Sequence, residues 1–264
     1  MDNPTLVITG TAGDIGRALS LAGAEQGYRV VGLDVLDERG NETAELVRAA
    51  GGHADYLHCD ISDTEQLAAM FDEITATGEI AGLVNNAALG SHTAPTEITS
   101  TEWHRVLGVT LTGAAFSAQR AARSMIRSGR GGSIVTIASI AGLAALGRGN
   151  FAYSVAKAGL VGMTRELAVE WARSGIRVNA VAPSQVDTSG FRPLVGAADV
   201  AGGNVLDSAI RGIPLGRLAT VDDITPLVMF LLGPASSFIT GVTIPVDGGS
   251  MALHPGGTIG EKTL

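Results

Sequence analysis

The amino-acid sequence predicts an α/β fold: a doubly wound parallel sheet with helices on both faces. Three observations carry that prediction. Short β-branched runs alternate with longer stretches of helical periodicity, as in successive βαβ units with right-handed crossovers. Several short runs, Leu6-Val7-Ile8 and Ile134-Val135 among them, are continuously apolar, which suits strands covered on both faces. The chain has 264 residues, 45% of them hydrophobic, enough for one sizeable core, so a single domain over residues 1–264 is expected.

Taken in order, the first strand covers 6–9 and ends in a glycine series, Gly10, Gly13 and Gly16, that turns the chain into a helix over 15–26. A strand over 29–34 ends in Asp34, and a helix over 41–50 leads to a strand over 54–58. Helical periodicity over 64–77 precedes the fourth strand, 82–85, and a long helix over 101–127 precedes the fifth, 133–138. A helix over 152–173 feeds a strand over 176–182, and a helix over 222–232 feeds the last strand, 242–246. Two stretches break this rhythm. One is an irregular segment of about 184–213, long enough to be a substrate loop, and the other is a Gly- and Pro-containing tail over 251–264.

Composition removes several function classes. Lys and Arg total 18 against 26 Asp and Glu, a net charge of −8 that disfavours nucleic acid and anionic lipid. The lone Cys59 can form neither an internal disulfide nor a C-x-x-C pair, so no disulfide scaffold and no metal site are expected. No apolar run approaches the ~20 residues of a membrane span. The start, Met1-Asp2-Asn3-Pro4, lacks a signal-peptide pattern, so the expected setting is cytoplasmic. Glycine is unusually frequent at 36 residues, which points to turns and close backbone approaches.

The chemistry-bearing motifs lie at strand ends. Thr9-Gly10-Thr11-Ala12-Gly13-Asp14-Ile15-Gly16 joins the first strand to a helix, where backbone N–H groups can face a pyrophosphate. Asp34 closes the next strand, where a carboxylate can accept from ribose hydroxyls and repel a 2′-phosphate, so NAD is expected over NADP. Arg39, downstream, is the nearest base that would help a phosphate if the loop folded back. Tyr153 and Lys157 stand four apart on one helix face, and a cation beside a phenol favours its ionised form. Ser139 follows the fifth strand, at the edge where open α/β sheets bind ligands.

These motifs together resemble the short-chain dehydrogenase/reductase family, from Thr5 to Gly249. Thr9 to Gly16 is similar to its T-G-x-x-x-G-x-G turn, Asn85-Asn86-Ala87-Ala88 to its N-N-A-G, Asn179 to Ser184 to its N-x-x-x-P-G, and Asp247-Gly248-Gly249 to its D-G-G. The resemblance implies a Rossmann-type fold and hydride transfer between a nicotinamide and an alcohol or ketone. Ser139, Tyr153 and Lys157 would be catalytic, and Thr110 would stand where the family has a fourth catalytic residue, an asparagine. Cofactor contacts would come from Gly10, Gly13, Asp14, Ile15, Gly16, Asp34, Asp60, Ile61, Asn86, Ala87, Tyr153, Lys157, Pro183, Val186 and Thr188.

Four departures stand out: Asp14 replaces a family glycine, Ala88 and Ser184 replace two others, and Thr110 replaces the asparagine. Gly13 is expected to take over the unusual backbone conformation, and Thr110 to bend its helix by bonding back to a carbonyl one turn earlier. The substrate pocket is expected to use Ser139 and Tyr153 with His92, Arg148, Asn150 and Gln185 as polar handles. Ser91, the stretch 146–151, Phe191, Arg192 and Leu194 complete its walls, which suit a small hydroxylated, sugar-like or cyclic molecule. An apolar stripe at Ala156, Leu160, Met163, Leu167 and Trp171 has further apolar positions beside it, so a homotetramer or homodimer is expected. The alternative reading, from another class, is a dinucleotide-binding sensor or scaffold with weak or no turnover, which Asp14 and Thr110 favour.

Overall fold

Seven parallel strands form one sheet in the order β3-β2-β1-β4-β5-β6-β7, the doubly wound arrangement predicted. The structure, a computed structural model, describes residues 3–147, 149–192, 205–253 and 258–259. The strands are β1 (Thr5–Thr9), β2 (Arg29–Asp34), β3 (His53–His58), β4 (Ile80–Asn85), β5 (Gly132–Ile137), β6 (Ile176–Pro183) and β7 (Thr243–Val246). The helices are α1 (Asp14–Glu25), α2 (Asp37–Ala49), α3 (Thr64–Thr77), α4 (Ser100–Leu107), α5 (Ala114–Ser128), α6 (Phe151–Trp171), α7 (Val205–Arg211) and α8 (Val221–Leu232).

Alternation along each strand builds two cores from one sheet. In β1, Leu6 and Ile8 face Leu19 of α1, Val47 of α2 and Val228 of α8, whereas Val7 faces Leu67 and Phe71 of α3 and Met125 of α5. All of these are fully buried, which is why the strands read as continuous apolar runs. Glycine permits the closest layers: a Cβ on Gly40 of α2 would collide with the Tyr56 ring of β3.

The sequence expectations differ from the structure in two places. The single long helix over 101–127 is three pieces, because α4 and α5 are joined by a π-helical turn, Gly108–Gly113. Helical periodicity hides such a turn, since Leu107 and Leu111 stand four apart across it as they would in an uninterrupted helix. The irregular stretch 184–213 contains α7 near its end, whereas 193–204 falls outside the described residues, as does most of the 251–264 tail. Among the described residues, no helix is long and apolar enough to cross a membrane.

Candidate active site

The C-terminal ends of the strands gather the motif residues on one edge of the sheet. Gly10 closes β1 with φ +76°, a conformation that glycine adopts freely. Gly16, in the first turn of α1, lies so close to Gly10 that any Cβ would strike the Gly10 carbonyl. Gly13 does not carry the unusual backbone: at φ −82° and ψ 157° it is extended and forms the N-cap of α1, so the left-handed turn is made by Gly10 alone. No side chain caps α1, which leaves first-turn N–H groups, including those of Ile15 and Gly16, free to meet an anion.

Thr9, absent from the expected site residues, organises the neighbouring strand. Its Oγ1 accepts from the backbone N–H groups of Asn86 (3.0 Å) and Ala87 (3.1 Å), while Asn86 Nδ2 donates to the Thr9 and Gly10 carbonyls, both at 3.0 Å. Its position at the end of β1, directly before Gly10, is the signal that could have found it. At the other end of the groove, Asp34 Oδ2 accepts from Ala12 N at 2.9 Å and Oδ1 accepts from Val35 N and Leu36 N. The carboxylate is thereby fixed beside the glycine turn with one lone pair on Oδ2 to spare for a hydroxyl. Ile61 is buried against Gly113, and Asp60 holds Ser62 through its Oδ1.

Tyr153 and Lys157 occupy the first turns of α6, and Ser139 follows β5 directly. Ser139 caps the short 3-10 turn Ile140–Gly142, its Oγ accepting from Ala141 N at 3.1 Å. Lys157 Nζ lies 5.5 Å from the Tyr153 ring centroid and donates to the Ile137 carbonyl at 2.7 Å. Burial pushes the lysine down to about 7, because one carbonyl does not replace the hydration of an ammonium. The expected depression of the tyrosine does not occur in this state. Burial raises it, and the Ser139 hydroxyl beside it only partly opposes that shift.

Thr110 is fully buried inside the π-helical turn. Its hydroxyl does not bond back along its own helix as expected: Oγ1 accepts from Leu89 N at 3.0 Å, tying the turn to the loop that follows β4. The far end is tied as well, since Asn85 Nδ2 donates to the Ala114 carbonyl at 3.1 Å. The break in the α-helical register between α4 and α5 is the π turn itself.

The substrate handles are brought together only in part. His92 is exposed, but its backbone packs on Gly149, where a Cβ would strike the His92 carbonyl, and Trp103 stacks on Phe151 at 5.2 Å. Asn150 turns its amide to the Gly147 carbonyl at 2.8 Å and is satisfied locally. Gln185 is held through its backbone, its carbonyl accepting from Ala219 N, next to the bridge between Val186 and Ala219. Thr188 Oγ1 accepts from Phe191 N, and Pro183 ends β6. Arg148 and Leu194 lie outside the described residues. Glu102 was not foreseen: its Oε1 accepts from Ser91 Oγ (2.9 Å) and Thr93 Oγ1 (2.8 Å) and so fixes the loop that carries His92.

Such an edge combines an anion-binding turn, a carboxylate for a ribose, and a phenol and hydroxyl able to hold and protonate an oxygen. Known proteins share it. Residues 10–251 match a family model described as enoyl-(acyl carrier protein) reductase. The chain is 39% identical to cis-4-hydroxycyclohexanecarboxylate dehydrogenase from Sinomonas cyclohexanicum, over 94% of this chain and 96% of that one. It is 32% identical to 2-dehydro-3-deoxy-D-gluconate 5-dehydrogenase from Escherichia coli K12, over 96% and 97%. A crystal structure from Beutenbergia cavernae, named for an NAD(P)-dependent gluconate 5-dehydrogenase and holding NADP at low occupancy, aligns with a TM-score of 0.88. It is 34% identical and is matched over 96% of this chain and 98% of its own. On this evidence the chain belongs to the short-chain dehydrogenase/reductase family of oxidoreductases.

Proposed function

We propose that this chain is an NAD-dependent dehydrogenase and ketoreductase acting on a secondary alcohol, or its ketone, in a small cyclic or sugar-like molecule. The observation that carries the reading is the convergence of Ser139, Tyr153 and Lys157 beside the Gly10–Gly16 turn. The residues fit a dinucleotide: the absence of a Cβ on Gly16 lets α1 close onto the Gly10 turn, the α1 N-terminus has no side-chain cap, and Asp34 stands beside it. When bound, the nicotinamide supplies the hydride acceptor or donor.

The chain's own side chains then supply proton chemistry. Ser139 Oγ holds the substrate oxygen, and Tyr153 takes or returns the proton at that oxygen. Lys157, buried against the Tyr153 ring, keeps a donor beside the phenol in either charge state, since even a neutral amine retains N–H bonds. Thr110 holds the π turn against Leu89, keeping that turn's carbonyls beside the loop after β4.

Relatives named for hydroxycyclohexanecarboxylate and deoxygluconate support the substrate class. NAD rather than NADP is supported by Asp34 and by Arg39, which is drawn away to Asp14 at 3.2 Å. The described polar handles are His92 and Gln185. The reading treats residues 1–264 as one domain with 184–213 as its substrate loop, in a reducing, cytoplasmic setting where buried Cys59 stays a thiol. It includes a homotetramer or homodimer: Val155 and Val169 of α6 face outward, the latter 79% exposed. Light scattering at micromolar concentration tests the assembly, and a monomer removes it.

The test of the activity is purified protein with NAD⁺ or NADP⁺ and a panel of hydroxycyclohexanecarboxylates, sugar acids, polyols and cyclic alcohols, followed by nicotinamide absorbance. Turnover with NAD⁺ on a cyclic or sugar-like alcohol is expected, and preference for NADP⁺ overturns the cofactor assignment. The sensor reading draws on one observation, the carboxylate of Asp14 at the phosphate turn. Tight dinucleotide binding without turnover on any member of the panel would favour it.

A further inference from the structure

Asp14 opens α1 where the family has a glycine, and its carboxylate does something no glycine can. It does not cap its own helix. Oδ2 accepts from Ser189 N at 2.5 Å, and Oδ1 accepts from Ser189 Oγ at 3.0 Å and from the Arg39 guanidinium at 3.2 Å. Arg39 also donates to Ser189 Oγ at 3.4 Å. Three segments therefore meet at one carboxylate: the first turn of α1, the first turns of α2, and the stretch after β6.

Topology makes this contact consequential. Ser189 leaves the sheet from β6, whereas Asp14 follows β1, and β4 and β5 lie between those strands. At about 4.8 Å per strand the stretch after β6 crosses roughly 14 Å of the sheet's C-terminal edge to reach Asp14. It passes over the ends of the strands that carry Asn86 and Ser139. The crossing stretch is internally braced. The N–H groups of Phe191 and Arg192 both donate to the Thr188 carbonyl at 3.0 Å, and Arg192 pairs with Asp187 at 2.7 Å. On the β6 side, Asp187 N donates to the Ala219 carbonyl at 2.8 Å. The hydrogen bonds and the Arg39 charge outweigh the effect of burial and hold the Asp14 carboxyl below the usual range, so it is ionised at neutral pH.

We propose that Asp14 is a positioning residue that latches the turn Thr188–Arg192 across the dinucleotide groove, so that this contact must break before the cofactor leaves. The proposal rests on the dinucleotide reading above. It assigns Asp14 a gain of function relative to glycine: a carboxylate beside the phosphate turn is tolerated because its lone pairs are already committed to Ser189 and Arg39.

The experiment is stopped-flow displacement of NADH from the whole protein, with association measured separately, for the native chain, Asp14→Ala, Asp14→Asn and Ser189→Ala. Loss of charge-assisted hydrogen bonds is expected to raise the NADH dissociation rate of Asp14→Ala about tenfold or more. Asp14→Asn is expected to fall between native and Asp14→Ala, since its amide oxygen can still accept from Ser189 N while the charge and the Arg39 contact are lost. Ser189→Ala keeps the backbone contact and is expected to show a rise of about threefold. Unfolding midpoints without NADH should fall by no more than a few degrees, whereas a general structural defect would lower them further. Dissociation of Asp14→Ala within about twofold of native overturns the latch; so does faster association with unchanged dissociation, which would reduce Asp14 to a repelling charge. If Asp14→Ala does not fold, Ser189→Ala decides by the same criterion. A native protein that binds neither NADH nor NADPH overturns the dinucleotide reading itself, and the latch with it.

Discussion

The two halves of this active edge are built by different means. On the β1 side, recognition is made by backbone: Gly10 in a left-handed turn, Gly16 against its carbonyl, Asn86 and Ala87 hung from Thr9, Asp34 pinned to Ala12 N. On the substrate side, the walls are segments after β4, β5 and β6 held by side-chain and loop contacts, His92 on Gly149, Ser91 and Thr93 on Glu102 of α4, Ser189 on Asp14 of α1. A ligand held by close backbone approach demands glycine at fixed spacing. A ligand held by loop side chains demands no fixed spacing at all. The cofactor half is therefore rigid and stereotyped, and the substrate half is where specificity can vary on the same frame.

The largest expected effects break the backbone half. Gly16→Ala places a methyl into the Gly10 carbonyl with no flexible neighbour to yield, so α1 must move off β1. Overpacking of this kind costs about 3 kcal/mol or more. Thermal unfolding and NADH binding should both suffer, and retention of both would show that the cradle is looser than drawn. Tyr153→Phe tests the chemistry instead. The ring stays packed against Lys157 and loses only its oxygen, so turnover should fall by about 10²–10⁴-fold while NADH still binds. Retention of more than about a tenth of the rate would remove Tyr153 from the proton step.

That asymmetry explains what could be read in advance. The doubly wound parallel sheet and its two-sided core followed from apolar periodicity, and the places of Gly10, Gly16, Asp34, Ser139, Tyr153 and Lys157 at strand ends and on one helix face from spacing, whereas their joint role in one site came from the family resemblance. The π turn did not follow, since Leu107, Leu111 and Ala118 keep spacings of four and seven that an uninterrupted helix would also show. The partner of Thr110 did not, because Leu89 stands 21 residues away and only the fold brings it near. Glu102 did not, because its partners Ser91 and Thr93 belong to a loop that only the fold brings against the start of α4, and Ser189 did not, because a serine in a loop has no periodicity. Nor did the sign of the Tyr153 shift: proximity of a cation was legible, but the degree of burial that dominates both groups was not.

Thr110 sits at the seam between the halves and gives the next effect in size. Thr110→Val keeps the shape but leaves the partly buried Leu89 N–H without its acceptor, at a cost of about 1 kcal/mol. Thr110→Asn retains an acceptor and should leave both stability and rate much closer to native. Chemical denaturation and steady-state rates of the two variants separate these outcomes, and equal behaviour would show that the hydroxyl is not what holds the turn. Asp34→Ser, on the cofactor side, removes the charge beside the ribose and should narrow the preference for NAD over NADP by about tenfold. An unchanged ratio of kcat/KM for the two cofactors would move the source of preference elsewhere.

The smallest effect concerns Lys157 and reads the burial that both halves share. In the folded chain its ammonium is held at about 7 by desolvation, while in the unfolded chain a lysine titrates near ~10.4. Between those values the unfolded state binds more protons than the folded one, so stability must rise as pH rises. Below the folded value both states are protonated, and the cost of burying the charge is fully present. Going from pH 7 to 8 should therefore stabilise the ligand-free protein by about 1 kcal/mol relative to Lys157→Met. The variant removes the titrating group and the bond to the Ile137 carbonyl, but the lost bond offsets its stability by a constant and leaves the pH slope untouched. Urea unfolding of both proteins across this range measures the difference. Parallel pH profiles would mean that Lys157 stays fully charged in the folded chain, in which case its field on Tyr153 is stronger than its burial implies and the phenol is already biased toward its ionised form before any cofactor binds.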